Sequence, residues 1–204
     1  MLSLDTFRRL ELGTNPGVIS ISGPEIEWLM NLAKTHQACR SLETGVGNGF
    51  SAVALLLAGV EEHTAVEFWP RNLDIAQTNI MKAKTPTQRF RLLFGSSDIR
   101  LAALVDAGEK FDLILIDGGH SYEDAFIDIH YARSLLDAGG VMVLDDTNWP
   151  AVRSAMNWHQ RFLAHIWTEI LPPAHLAGRP GFNMAAFRRS ALYARQRPTI
   201  AKSP

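Results

Sequence analysis

Apolar runs alternate with segments of helical period along this chain, and several of the runs end in polar or glycine-rich loops. The first loop is Glu43-Thr44-Gly45-Val46-Gly47-Asn48-Gly49, and later runs end at Glu67, at Asp117 and at the pair Asp145-Asp146. This alternation is typical of repeated βαβ units, which build a parallel sheet. Because open α/β sheets bind ligands at the carboxyl ends of their strands, we expect these loops to meet in one ligand site.

The pattern predicts one α/β domain. Strands are predicted at residues 38–43, 63–68, 89–94, 111–116 and 141–144. Helices are predicted at 24–35, 50–57, 70–83 and from 150 to about 165, and another begins at Tyr122. The runs 166–171 and 182–187 are expected to form an antiparallel pair that completes the sheet.

Composition excludes several classes of function. The 204 residues are 47% hydrophobic and 20% charged, with a net charge of −1, so neither nucleic acid nor an anionic membrane is an expected partner. No run approaches the roughly 20 apolar residues that span a bilayer, and the N-terminus lacks the pattern of a signal peptide. A cytoplasmic protein is therefore predicted. Its one cysteine, Cys39, lies in an apolar stretch and is expected to be a buried thiol.

Two segments lie outside the predicted α/β core. Residues 1–22 are expected to form a lid or an oligomer contact. Residues 190–204 form a basic tail that carries Arg195, Arg197 and Lys202 with little apolar periodicity. For this tail, partial disorder is favoured over a basic contact surface.

The glycine loop indicates a ligand that contains adenosine. Gly45, Gly47 and Gly49 allow close approach of the backbone to a ligand, and Glu67 follows Gly45 at close to the roughly 20-residue offset of a ribose-binding acid. A dinucleotide is disfavoured because Phe50 replaces the expected small residue and Glu43 would lie beside a pyrophosphate. The loop suits a ligand that carries an ammonium and a sulfonium but no phosphate.

These residues resemble the first motif and the ribose-binding acid of class I S-adenosylmethionine-dependent methyltransferases. The resemblance covers residues 23–189 and implies a Rossmann-like, doubly wound, mostly parallel seven-stranded sheet with an antiparallel last strand and helices on both faces. It implies S-adenosyl-L-methionine as cofactor. The implied cofactor-binding residues are Glu43, Gly45, Gly47, Gly49, Ser51, Glu67, Ser96, Ser97 and Asp117. A helix N-cap is an equally simple interpretation of Ser97.

Within that superfamily, the segment Asp145-Asp146-Thr147-Asn148-Trp149 resembles the metal-dependent O-methyltransferases of catechol, caffeoyl-CoA, and macrolide- and aminocoumarin-sugar types. The resemblance implies Asp117, Asp145 and Asp146 as ligands of Mg²⁺ or Mn²⁺. Three converging carboxylates would also repel one another without a cation, and oxygen ligands suit these ions. The alternative is that the strand-end aspartates only cap helices.

His120 lies three residues after Asp117, where the catechol and caffeoyl-CoA relatives have a lysine proposed as base. Histidine is a suitable base near neutral pH, so either His120 or Asp117 is expected to receive the proton of the acceptor. The alternative is that His120 bonds within its turn or touches the cofactor. Asp124 and Asp128 are expected on the exposed face of the helix that follows.

The predicted reaction is methyl transfer to a hydroxyl group of a small molecule. The sequence does not identify the acceptor. A lid over it would come from residues 1–22, from the stretch after Trp149, from the loop near 172–181 or from a partner subunit, so a homo-oligomer is a further expectation. Three alternatives stay open: a metal-independent methyltransferase, a NAD(P)-dependent oxidoreductase and a non-catalytic protein that binds S-adenosylmethionine.

Overall fold

The computed structural model describes residues 4–18 and 20–191. Its helices are α1 (Leu4–Arg9), α2 (Gly23–Thr35), α3 (Phe50–Ala58), α4 (Pro70–Ala83), α5 (Ser97–Asp106), α6 (Tyr122–Leu135) and α7 (Pro150–Phe162). Its strands are β1 (Arg40–Thr44), β2 (Glu62–Glu67), β3 (Arg89–Phe94), β4 (Phe111–Ile116), β5 (Leu136–Leu144), β6 (Trp167–Ile170) and β7 (Ala185–Arg189). Most of the basic tail, residues 192–204, lies outside the described residues.

The strands form one seven-stranded sheet in the order β3-β2-β1-β4-β5-β7-β6. The pairs from β3 to β5 are parallel, whereas β7 runs antiparallel to both β5 and β6. The strand order reverses between β1 and β4, and ligands bind at such a switch point. The Rossmann-like, doubly wound fold and the antiparallel last strand are thereby confirmed.

Both faces of the sheet are buried, which explains the apolar runs of β4 and of the second half of β5. Along β4, Leu113 and Leu115 pack on the face covered by α2 and α3, while Ile114 and Ile116 pack on the face covered by α5, α6 and α7. Successive side chains of a strand point to opposite faces, so this alternation is the one that a two-sided core requires. Helix α4 joins α2 and α3 in a third cluster on the first face.

Most predicted elements are confirmed, and the differences have local causes. Strand β5 begins at Leu136, five residues before the predicted start. Gly139-Gly140 interrupts the apolar run from which the strand was predicted, and the pairing register with β4 shifts in this first half. Helices α1 and α5 were not predicted. Cys39 is exposed, so the expectation of a buried thiol is wrong: the residue precedes β1 and lies outside the sheet.

Among the described residues, no helix is both long enough and apolar enough to cross a membrane. The segment before α2 instead packs on the domain. Phe7 of α1 contacts Phe50 at the start of α3, with ring centroids 5.9 Å apart. Leu10 and Leu12 continue this contact with the cluster of α2, α3 and α4. The described part of the segment before α2 therefore packs on the apolar cluster of α2, α3 and α4.

Gly45 is the position at which the fold has least room for a side chain. Its φ is +79°, and a Cβ there would lie 2.0 Å from the carbonyl oxygen of Asp117. A left-handed backbone costs an L-residue roughly 1–2 kcal/mol. We expect Gly45→Ala to destabilise the protein by more than this, because the clash of the new Cβ with the Asp117 carbonyl adds to that cost. Urea denaturation of Gly178→Ala provides the control, since Gly178 has φ +74° but open space around it. Equal destabilisation by the two changes would contradict this account.

His159 of α7 is a buried histidine that should make stability depend on pH. It is 2% exposed and lies against the rings of Phe126 and Trp158. Burial, with a smaller effect of Arg133, lowers the pKa of His159 to about 4. Between pH 6.5 and about 4, His159 is protonated in the unfolded chain but stays neutral in the folded protein. The free energy of unfolding therefore decreases as the pH falls from about 6.5 to 4. The loss is about 3 kcal/mol at most.

Replacing this histidine should remove that part of the pH dependence. We expect His159→Phe to flatten the curve of unfolding free energy between pH 6.5 and 4. Trp158→Phe supplies the control, because it changes a ring that contacts His159 without removing a titrating group and should leave the slope unchanged. A slope that persists in His159→Phe would mean that His159 is not the titrating group. Urea titrations at closely spaced pH values measure the slope.

Candidate active site

A cleft of about 1000 Å³ opens at the carboxyl edge of the sheet. The loops after β1, β2, β3, β4 and β5 all contribute to its walls, as the sequence predicts. A further wall comes from the segment before α2, through Gly17, Val18, Ser20, Ile21 and Ser22. The residues of the predicted set that line the cleft are Gly45, Gly47, Glu67, Ser96, Ser97, Asp117, His120, Asp145 and Asp146.

Glu67 organises the glycine loop. Its Oε2 accepts hydrogen bonds from the backbone N–H of Gly47 (3.1 Å) and from Nδ2 of Asn72 (3.1 Å), and its Oε1 accepts from the N–H of Trp69 (2.6 Å). A carboxylate offers about four lone-pair sites, so acceptor capacity remains for a ligand. Glu67 therefore sets the shape of the loop and also presents a carboxylate edge to the cleft.

Glu43, Gly49 and Ser51 do not line the cleft, although the sequence placed them among the cofactor residues. The Glu43 side chain is fully buried: it accepts from Ser51 Oγ at 2.6 Å and contacts His63 Nε2 at 3.1 Å. A Cβ at Gly49 would lie 3.1 Å from Ala76 of α4, so this glycine allows close packing of the helices. These three residues support the loop from behind.

Ser96 and Ser97 lie in the cleft at the start of α5. Ser96 is the N-cap residue, and its side chain is the main cause that holds the pKa of the neighbouring Asp98 below its usual range. Both serines are on the wall that continues from β3, beside the β2 loop that carries Glu67. The alternative that Ser97 is the helix N-cap is wrong, because Ser96 holds that position and Ser97 is the first residue of α5.

Asp117, His120 and Asp146 come together at the other end of the cleft. One ligand atom from each of the three residues lies within 4.8 Å of the other two, and His120 Nε2 is 2.8 Å from Asp146 Oδ2. Asp146 has φ +53°, which turns its carboxylate back toward His120. Asp145 is directed differently, since its Oδ1 accepts from the N–H of Asp146 at 2.7 Å. The compact group thus contains His120 in place of Asp145.

The carboxylates in this region raise one another's pKa values. Burial, followed by the charges of Asp145 and Asp146, raises the pKa of Asp117 well above its usual range. Burial and the nearby Glu25 raise the pKa of Asp145 to about 7. Such shifts report like charges held close together in a site of low polarity. A bound cation would favour the ionised forms and relieve the repulsion.

Comparison with known proteins assigns the chain to a family. A family model described as a methyltransferase domain matches residues 42–147, more than half of the chain. The chain belongs to this family. The matched segment of the methyltransferase domain runs from β1 to the residue after Asp146, and so contains the glycine loop, Glu67 and the group at the far end of the cleft.

Individual relatives agree with this assignment. Catechol O-methyltransferase of Mycobacterium tuberculosis is 31% identical over 130 residues, which cover 63% of this chain and 57% of that protein. The chain therefore spans less than two thirds of this curated relative. Among solved structures, the cofactor-bound Rv0187 from MTB is 25% identical to this chain and superposes with a TM-score of 0.66. The alignment covers 92% of this chain and 86% of that one.

O-methyltransferase TomG from Streptomyces achromogenes, solved in complex with SAM, is 21% identical and has a TM-score of 0.66. The alignment covers 86% of this chain and 82% of that one. This likeness concerns the fold. Together with the family match, it confirms the resemblance to class I methyltransferases.

Glu25 of the methyltransferase domain lines the cleft but was not predicted from the sequence. Its Oε2 accepts from the N–H of Ser22 (2.8 Å) and its Oε1 from the N–H of Asn183 (2.7 Å), so the side chain is buried and held at both oxygens. The capping-box spacing of Ser22 and Glu25 is a visible signal for a helix start. Only the tertiary fold shows that this helix start faces Asp145.

Asp128 of α6 is buried, so its predicted exposure is wrong. Asp124, one turn earlier, is exposed as expected because the first turn of α6 extends past the sheet edge. Asp128 is 1% exposed, and its Oδ2 would lie 3.1 Å from a Cβ at Gly118. Burial raises the pKa of Asp128 to about 6, although the side chains of Ser97 and Thr44 offset part of this effect. Its carboxyl group lies beside Gly118, in the turn between Asp117 and His120.

This raised pKa predicts how stability changes with pH. As the pH rises from 3.8 to about 6, the unfolded chain loses a proton that folded Asp128 still holds, so stability falls by about 3 kcal/mol at most. We expect Asp128→Asn to gain stability relative to the wild type as the pH rises through this window. Chemical denaturation at pH 4 and pH 7 measures the difference. The exposed Asp137 gives the control change Asp137→Asn. A constant difference between Asp128→Asn and the wild type would contradict the prediction.

Proposed function

We propose that this domain is an S-adenosylmethionine-dependent O-methyltransferase that acts on a hydroxyl group of a small molecule with the help of a divalent cation. One observation carries the proposal: the nucleoside-suited loop with Glu67 and the group of Asp117, His120 and Asp146 share a single cleft. A methyl donor and an oxygen acceptor can therefore be held side by side. The Mycobacterium tuberculosis relative is a catechol O-methyltransferase by name, which agrees with this reaction class.

The cofactor end of the cleft would bind the donor through six residues, namely Gly45, Gly47, Glu67, Ser96, Ser97 and Asp117. The loop glycines leave room for the ligand against the backbone, and Glu67 would accept from the ribose hydroxyls. The donor carries no phosphate, so the carboxylates around it do not repel it. Its ammonium and sulfonium groups stabilise the ionised form of these carboxylates. A NAD(P)-dependent reaction is disfavoured by family membership and by the same acidic surroundings.

The residues at the acceptor end fit a divalent ion. Asp117 and Asp146 offer carboxylate oxygens and His120 an imidazole nitrogen, a mixed donor set that suits Mn²⁺ at least as well as Mg²⁺. Asp145, the third ligand implied by the sequence, would orient Asp146 through its backbone N–H. When bound, the ion would favour the deprotonated acceptor oxygen.

In the proposed reaction, the acceptor oxygen attacks the methyl carbon of the sulfonium. The carbon–sulfur bond breaks, its electron pair stays on sulfur, and S-adenosylhomocysteine is released. The hydroxyl proton passes to a carboxylate oxygen of Asp117 that does not bind the ion, or to His120 when its imidazole does not bind the ion. His120 is held at Nε2 by Asp146 and against Trp149, whose ring centroid is 4.9 Å away. Holding both reactants in line contributes several kcal/mol, roughly, to lowering the barrier.

A second candidate is the same transfer without a metal. The 2.8 Å contact of His120 Nε2 with Asp146 Oδ2 is the geometry of a histidine base held by a carboxylate. Such a pair could accept the proton unaided. The two candidates differ in one measurable respect, which is whether turnover survives removal of divalent ions.

Calorimetric titration of S-adenosylmethionine into chelator-treated protein, with and without Mn²⁺ or Mg²⁺, tests the proposal. Asp146→Gly is the informative variant because glycine accepts the positive φ while the carboxylate is lost. We expect it to lower metal affinity and turnover of hydroxylated acceptors at least about tenfold, with cofactor affinity changed less. Asp146→Asn, which keeps an oxygen ligand, should lose less.

Each result decides between the candidates. Turnover that persists after chelation would favour the metal-independent reaction with His120 and Asp146. Absence of S-adenosylmethionine binding in the wild type would overturn the proposed function altogether.

A further inference from the structure

The described residues 10–18 and 20–22, here called the strap, contribute one wall of the cleft. Gly17, Val18, Ser20, Ile21 and Ser22 face the cavity, and Val18 Cγ1 lies 3.4 Å from the Cβ position of Gly47. Within the part of the strap that the structure describes, only turns and irregular backbone occur after α1. Its position therefore depends on contacts with the domain and not on a helix or strand of its own.

Two buried asparagines, Asn48 and Asn79, make these contacts; we call them the amide clasp. Asn79 of α4 binds Gly13 with both ends of its amide: Oδ1 accepts from the Gly13 N–H and Nδ2 donates to the Gly13 carbonyl, each at 2.8 Å. Nδ2 of Asn79 also donates to the carbonyl of Asn48 at 2.8 Å. One side chain thus joins the strap to the glycine loop.

Asn48 makes the same connection from within the glycine loop. Its Oδ1 accepts from the N–H of Asn15 at 2.9 Å, and its Nδ2 donates to Ser20 Oγ at 2.8 Å. The backbone of Asn48 lies between Gly47 and Gly49, both of which have positive φ. The same conformation of the glycine loop that leaves room for the cofactor therefore also places the Asn48 amide in contact with the strap.

Neither asparagine is explained by the local structure that it occupies. Asparagine is a poor residue for the interior of α4, because its side chain competes for backbone hydrogen bonds. In the loop, the Asn48 side chain is buried against the strap and does not line the cleft. Both amides are instead satisfied by partners on the strap, and Asn79 also by the backbone carbonyl of Asn48.

We propose that the amide clasp makes the strap a cofactor-coupled gate, so that the strap opens when the cofactor enters or leaves and closes on the occupied glycine loop. The inference rests on the proposed function for the identity of the cofactor. Because the same loop residue binds the strap and fixes the loop, cofactor binding and strap closure stabilise each other. Asn48 and Asn79 are then positioning residues that act through the loop and the strap.

The test compares Ser20→Ala and Asn48→Ala with Lys82→Met. The first change removes one clasp partner without altering the loop, and the second removes both contacts of Asn48. Lys82 Nζ donates to the Glu11 carbonyl at 2.6 Å, so Lys82→Met loosens the strap away from the cleft and is the matched control. Stopped-flow release of S-adenosylhomocysteine and steady-state kinetics are the readouts.

We expect release of S-adenosylhomocysteine to accelerate about tenfold in Asn48→Ala and a few-fold in Ser20→Ala, with KM for S-adenosylmethionine rising in parallel. The kcat should fall less than about twofold unless release is its slow step, in which case it rises. Lys82→Met should behave as the wild type. Release rates that match the wild type in both clasp variants would overturn the gate.

Hydrogen exchange separates this inference from the proposed function. In the wild type, S-adenosylhomocysteine should slow exchange of the strap amides, and Asn48→Ala should abolish that protection. If the wild type binds no S-adenosylmethionine, the proposed function fails. The clasp is then judged on the free protein, where faster strap exchange in Asn48→Ala than in Lys82→Met supports it and equal exchange refutes it.

Discussion

The parallel pairing of β1 with β4 is the contact on which the whole site depends. The ladder continues beyond the strands: the N–H of Gly45 donates to Val66, that of Asp117 to Thr44, and that of Asp145 to Ile116. These bonds, 2.9–3.0 Å long, carry the register of the sheet one residue into each loop. The glycine loop and the two aspartates therefore have positions as well defined as those of the buried strands. Gly45 is needed where this register brings its Cα against the Asp117 carbonyl.

The same register concentrates negative charge. Asp117, Asp145 and Asp146 are brought together by adjacent strand ends, and Glu25 is added from α2. In the absence of a cation, this arrangement costs stability, since burial and mutual repulsion disfavour ionisation. Strain of this kind is common where a site is built for a charged ligand. A positively charged donor and a divalent ion would each reduce it, which links the electrostatics of the cleft to the proposed reaction.

Around this charged site, buried polar groups hold the loops in place. Glu67 binds the glycine loop directly, Glu43 binds Ser51 at the start of the helix behind that loop, and Asn48 and Asn79 bind the strap. Buried polar side chains are costly unless their hydrogen bonds are formed, so each restricts the loop that it contacts to few conformations. The cleft can thus be preorganised although most of its surface consists of loops.

The sequence by itself determined the α/β class, the sheet edge that carries the cleft, and the presence of Gly45, Gly47 and Glu67 in the lining of that cleft. These features are local, because strand and helix periods and the spacing of glycine from an acid are written within one βαβ unit. What the sequence could not determine were contacts between distant segments. Burial of Glu43 and Asp128, the entry of Glu25 into the cleft, and the closeness of His120 to Asp146 all depend on how elements pack. Only the tertiary structure decided these, since a side chain's surroundings are set by residues that come from far along the chain.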